Sequence, residues 1–91
     1  MQITSHAYIR SKERFGWKRR TLRRMSRKVF IFGTKPEETK SKLNKYINTL
    51  KEYYPSANNV RIYGENIFFF HDNVLITLYR LPNELIRYVK I

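Results

Sequence analysis

The sequence predicts an α+β domain of order (β)αααβββ, with N-terminal helices packed on one face of a small antiparallel sheet. Two observations predict this class. Apolar residues recur at helical spacing through the first half of the chain, and later they alternate or run together in short β-branched and aromatic segments. Turn-forming residues divide that later part into three strands. At 91 residues there is room for one core, so residues 1–91 are read as a single domain.

Gln2–Thr4 is read as a short first strand. Ser5 follows as an N-cap, its hydroxyl able to accept from the free amides of the next turn. A first helix runs from about His6 to Phe15, and Gly16 gives it a left-handed stop. A second helix runs from Trp17 to about Phe32. Leu22, Met25, Val29 and Phe32 recur there at i, i+3, i+7 and i+10, within an arc of about 80° at 100° per residue. Gly33 is read as its stop. Pro36 opens a third helix, where a missing N–H costs nothing. Glu37 and Glu38 in its first turn suit the helix dipole. Leu43, Tyr46, Ile47, Leu50, Tyr53 and Tyr54 form its apolar stripe, and Pro55 ends it.

Val60–Tyr63 alternates as a strand, and Gly64-Glu65-Asn66 is a turn. Ile67–Phe70 is a second strand, His71-Asp72-Asn73 a second turn and Val74–Leu81 a third strand. Pro82 stops it, and Asn83–Val89 adds a short terminal helix. The expected core is Leu22, Met25, Val29, Leu43, Ile47, Leu50, Ile67, Phe69, Ile76 and Leu78.

Composition narrows the function. The chain has no cysteine, which removes disulfides, thiolate zinc sites and thiol nucleophiles and fits a reducing, cytoplasmic setting. The longest apolar runs, Val29–Phe32 and Ile67–Phe70, are too short to span a bilayer. The N-terminus meets Arg10 and Lys12 before any apolar signal segment develops. Nineteen Lys and Arg oppose seven Asp and Glu, for a net +12. Residues 1–36 hold eleven bases and one acid, a net +10, and residues 37–91 hold eight bases and six acids, a net +2. A fold needs no such imbalance and is destabilised by its self-repulsion. A polyanion partner explains it, and nucleic acid leads, RNA ahead of DNA.

Arg19, Arg20, Arg23, Arg24, Arg27 and Lys28 centre on the side of the second helix opposite its apolar arc. Such a face suits a phosphate backbone, since each phosphate neutralised releases counterions, and Arg matches phosphate oxygens bidentately. A solvated face is the bland explanation. Yet a basic run without acids forfeits i,i+4 salt bridges and repels itself. Arg14, and Arg61 on its strand, are candidate further phosphate contacts. An anionic lipid surface ranks lower because the apolar arc is needed for the core.

His6, Arg10, Glu13 and Arg14 lie on adjacent turns of the first helix. His6 can take and give protons near neutrality, and Arg10 one turn on can hold a phosphate. These are the parts that metal-free RNA cleavage uses: a base for the 2′-hydroxyl, an acid for the leaving oxygen and a cation for the phosphate. Packing or capping near the helix start explains His6 equally well. Tyr79 and Arg80 end the last strand, and a sheet lying against the first helix would bring one of them toward His6. Tyr8 and Trp17 are able to stack on bases, although core-edge packing is commoner. His71 beside Asp72 reads as a turn residue. No H-E-x-x-H, Walker loop or G-x-S-x-G occurs, so neither cofactor nor metal is expected.

The opening His6-Ala7-Tyr8-Ile9-Arg10, with Arg14 and Gly16, resembles the start of small proteins of the barnase/RelE-type ribonuclease-toxin fold, and similar openings occur in phage proteins. The closing Leu75-Ile76-Thr77-Leu78-Tyr79, then Pro82, fits the same pattern. The resemblance implies helices on an antiparallel sheet, a phosphate-binding cleft and RNA cleavage without metal. It implies His6, Arg10 and Tyr79 as the catalytic set. It also implies partners: an antitoxin, or a ribosome or other host ribonucleoprotein in a bacterial cytoplasm. The six-base face on the second helix is no part of that motif. A non-catalytic phage protein engaging host RNA-containing machinery is one alternative. A winged-helix-like DNA-binding module is the other, although its basic helix would be the second rather than the third.

Overall fold

The computed structural model describes residues 1–89. Its elements run β1 (Gln2–Ile3), α1 (Ser5–Phe15), α2 (Arg19–Phe32), a 3-10 turn at Pro36–Glu38, α3 (Ser41–Lys51), β2 (Asn59–Tyr63), β3 (Asn66–His71), β4 (Val74–Arg80) and α4 (Asn83–Ile86). The class is α+β, with three longer helices ahead of the main strands. β2, β3 and β4 form an antiparallel meander, and β1 adds a parallel edge through Gln2↔Val74 and Ile3↔Leu75. The sheet is therefore mixed, with order β1-β4-β3-β2. No described helix is long and apolar enough to cross a membrane.

β3 is the centre of the molecule. Ile67, Phe68, Phe69 and Phe70 are all 0% exposed. Successive strand side chains point to opposite faces, so this run makes both faces of the sheet apolar. Phe68 and Phe70 pack with Ala7 of α1, Leu22 and Val29 of α2, and Leu75 and Leu78 of β4. Ile67 and Phe69 pack on the other face with Leu43 and Ile47 of α3, Val60 and Ile62 of β2, and Leu85 of α4. α1 and α2 share one face, and α3 lies on the opposite one. A strand apolar on both sides requires cover on both.

The register of β4 shifts between Phe69↔Thr77 and Phe70↔Leu75, which leaves Ile76 unpaired. This bulge lets Leu75 and Leu78 point to the same face although they are three residues apart. It also moves Ile76 from the expected core to a half-buried position and buries Thr77. The carbonyl of Ile76 accepts a 3.1 Å hydrogen bond from the Thr4 hydroxyl, which in turn accepts from the Ala7 amide at 3.1 Å. Thr4, rather than Ser5, is therefore the N-cap of α1. Near the other end of α1, Arg14 Nη1 donates to the Leu78 carbonyl at 2.8 Å. α1 is thus fastened to β4 at both ends.

Three sequence expectations are corrected. The buried stripe of α2 is Leu22, Ser26 and Val29, with Met25 half-buried and Phe32 71% exposed. The stripe is centred on a small hydroxyl residue that hydropathy marks as polar. Pro36 opens only a 3-10 turn: the Thr39 hydroxyl and the Asn44 amide both donate to its carbonyl, and Ser41 takes a φ of 57° where α3 starts. Leu50 is half-buried and Tyr53 is 74% exposed beyond the end of α3. Gly33 does cap the C-terminus of α2 as expected, its N–H donating to the Val29 carbonyl, but with a φ of −64° it is not in the left-handed region. A Cβ there would lie 2.5 Å from the Val29 carbonyl oxygen and 2.7 Å from Arg61 Cβ, so glycine is needed for the close approach of α2's end to β2. Next to it, Thr34 exchanges two backbone hydrogen bonds with Ile62, at 2.7 and 2.9 Å. Gly16, at a φ of 68°, is the expected left-handed stop.

Truncations on the two faces should act separately. Phe68→Ala is expected to cost about 3–5 kcal/mol and Ile47→Ala about 2–5 kcal/mol in a denaturant melt, and the double variant to lose roughly their sum. Phe32→Ala should stay within about 0.5 kcal/mol of the parent. A Phe32→Ala loss matching that of Phe68→Ala would show the α2 stripe to be misplaced.

Candidate nucleic-acid interface

Burial of Leu22, Ser26 and Val29 fixes which way the rest of α2 points. Its 14 residues include no acid. Arg20, Arg23, Arg24 and Arg27 line one open hollow of about 470 Å³. All four are exposed. The ion pairs among the described residues are Arg10–Glu13, His71–Asp72 and Arg80–Glu65, so no α2 base takes part in one. Arg19 and Lys28 lie at the margins, the guanidinium 4.6 Å from the Tyr8 ring centroid and the ammonium 5.4 Å from that of Tyr63. Cation–π contacts at exposed sites are worth roughly 0.5–1 kcal/mol, so these two cations are loosely held at the edges of the face.

The other candidate phosphate contacts are used internally. Arg61 donates through Nη1 to the Gly33 carbonyl at 3.0 Å and through Nε to Asn59 Oδ1 at 2.9 Å. It ties the end of α2 to β2. Arg14, already bonded to Leu78, places its guanidinium carbon 4.1 Å from the Tyr79 ring centroid.

His6, Arg10 and Tyr79 are not brought together. His6 is exposed, and among the described residues its side chain makes no hydrogen bond. Arg10 Nη1 pairs with Glu13 Oε1 at 2.7 Å. Tyr79 pairs with Ile67 across the strands and so faces α3. Its ring meets Arg14, which lies about 12 Å along α1 from His6 at 1.5 Å per residue. Arg80 is held by Glu65 at 2.6 Å and Asn83 at 2.8 Å. His71 bonds the Ser56 carbonyl as a turn residue.

Tyr79 belongs instead to a hydroxyl cluster with Tyr54, a residue that the sequence reading placed in the third helix's apolar stripe. Its hydroxyl hydrogen-bonds to that of Tyr54, and both rings pack on Phe69. Burial raises the pKa of Tyr54, and the hydrogen bond with Tyr79 adds to the rise, while the charge of Arg14 opposes it. Burial also raises Tyr46, helped by Tyr79 and Glu84. The packing of α3 and the segment after it on the β3–β4 pair brings these rings together, so no local signal marks them. Among the described residues no group of three or more His, Cys, Asp or Glu is placed to hold a metal ion. Comparison with known protein families, curated proteins and solved structures finds no match to this chain.

The tyrosine cluster gives an alkaline signature. A raised pKa means that the folded chain keeps its proton after the unfolded chain has lost it. Stability present below about pH 10 should therefore fall as pH rises past 10. Denaturant melts between pH 8 and 11 should show a shallower fall for Tyr54→Phe than for the parent. Identical slopes would show that Tyr54 titrates alike in both states.

Proposed function

We propose that the protein binds RNA, free or within a ribonucleoprotein, through the exposed basic face of α2. The observation that carries this is the hollow formed by Arg20, Arg23, Arg24 and Arg27, which no acid lines or pairs with. Four guanidiniums side by side repel one another, and a phosphate backbone relieves that repulsion while releasing counterions. The planar forks of Arg suit phosphate oxygens.

The competing readings draw less support. A lipid surface needs a continuous apolar helix face, and the Leu22–Ser26–Val29 stripe of α2 is buried against the sheet, with only Ile31 and Phe32 at the helix end exposing large apolar side chains. A winged-helix reader packs its last two helices together as a helix-turn-helix, whereas α3 sits across the sheet from α2. A ribonuclease needs its acid–base groups within reach of one phosphate, and the separation of Tyr79 from His6 favours binding over cleavage. RNA held by a ribosome or another host ribonucleoprotein presents the same backbone as free RNA, so either fits the face.

Binding to RNA should weaken steeply with salt. The triple replacement of Arg20, Arg24 and Arg27 by Ala should reduce the slope of log K against log salt by up to about three phosphate contacts, each contributing roughly 0.7–0.9. An unchanged slope would sink the proposal. RNA recovered from the same titrations is expected intact. Fragments ending in 2′,3′-cyclic phosphate in the presence of EDTA would instead favour the ribonuclease reading.

A further inference from the structure

We infer that the pocket between α1 and the start of α2 holds an unpaired nucleobase of the bound strand. This inference rests on the RNA-binding reading and adds that the strand is single and is gripped by a base. The pocket has a volume of about 540 Å³, inside the range of roughly 300–1,000 Å³ typical of small-molecule sites. Tyr8 and Trp17 supply its aromatic surface, and Lys12, Lys18 and Arg19 supply its charge. No acid lines it.

The local chain explains this arrangement. Gly16, in its left-handed conformation, ends α1 and turns the chain so that Trp17 folds back on Phe15. The two rings stack at 4.8 Å, and Trp17 lies 6.5 Å from Phe68 of β3. Trp17 is thus anchored to the core on one side while its remaining surface lines the pocket. Ile9 stands at the pocket 55% exposed, an apolar side chain left in water.

An aromatic cavity rimmed by cations selects a ligand that is flat, aromatic and anionic, and a nucleotide is all three. The Arg19 guanidinium covers one face of the Tyr8 ring at 4.6 Å, so the base would stack on the remaining aromatic surface or on that guanidinium plane, and its phosphate would meet Lys12, Lys18 or Arg19. The pocket is also continuous with the basic face. Arg19, Arg23 and Arg27 form one i,i+4 row with a rise of about 6 Å per step, leading from the pocket into the arginine hollow. A single strand seated by one base in the pocket would run its backbone along that row.

Trp17 is the only tryptophan, so its fluorescence reports the site directly. The probes are oligoadenylate, duplex RNA of the same length and inorganic polyphosphate of matched charge. Oligoadenylate is expected to quench Trp17 emission and to bind more tightly than polyphosphate, which should bind without quenching. Tyr8→Leu, with its fold checked by circular dichroism, is expected to weaken oligoadenylate binding about 5- to 150-fold, the loss equivalent to one stacked base, and to leave polyphosphate binding unchanged. Equal affinity for oligoadenylate and polyphosphate with no quenching would overturn the pocket and leave the basic face standing. Tighter binding of the duplex without quenching would overturn it too. Failure of all three probes to bind would overturn the RNA-binding reading and the pocket together.

Discussion

β3 sets the constraint on which the rest of the structure depends. Ile67, Phe68, Phe69 and Phe70 are consecutive, large and fully buried, and a strand sends neighbours to opposite faces. Burying each such side chain contributes roughly 1.5–3 kcal/mol, so leaving either face in water would forfeit much of what stabilises a domain this small. The helices must therefore divide: α1 and α2 cover Phe68 and Phe70, and α3 covers Ile67 and Phe69. That division decides where the charge goes. α2 meets the sheet through Leu22, Ser26, Val29 and the half-buried Phe30, whose ring packs edge-on against Phe70, and its basic residues face solvent. The charge excess of residues 1–36 becomes a spatial property because α1 and α2 share a face.

The junction of α1 with β4 shows how little polar chemistry holds the helical layer in place. One hydroxyl, that of Thr4, starts the helix and satisfies the carbonyl that the Ile76 bulge sets free. One guanidinium, that of Arg14, does the same for Leu78 and lies against Tyr79. Arg14 and the arginines of α2 are alike in sequence and differ in use. Arg14 has a carbonyl and a ring within reach, whereas Arg20, Arg23, Arg24 and Arg27 face only one another and water.

Sequence and structure agree where a feature is local and repeated. The apolar run of β3, the left-handed Gly16 and the opposed basic and apolar sides of α2 follow from spacing and residue type. They part where a contact between distant segments decides. Ser26 is buried because the sheet lies above it, and nothing near it in sequence says so. Ile76 leaves the core because β4 carries one residue more than β3 opposite it. Gly33 is glycine because Arg61 passes close by, not because the helix needs a left-handed end. For the interface, the number and sign of charges on α2 were legible. Their isolation from acids, the internal use of Arg14 and Arg61, and the distance of His6 from Tyr79 depended on the folded chain.

The backbone bridge between Thr34 and Ile62 has a consequence for how this protein meets others. β2 would otherwise end the sheet as an open strand, and Thr34 occupies both bonding groups of Ile62 midway along it. At the opposite side, β1, Thr4 and Arg14 occupy carbonyls of β4. Neither edge keeps an uninterrupted row of free amides and carbonyls for a foreign chain to extend. The template for strand addition, the route by which many sheet proteins capture peptides and by which exposed edges seed fibrils, is thus interrupted at both margins. A foreign strand could therefore extend neither margin along its full length.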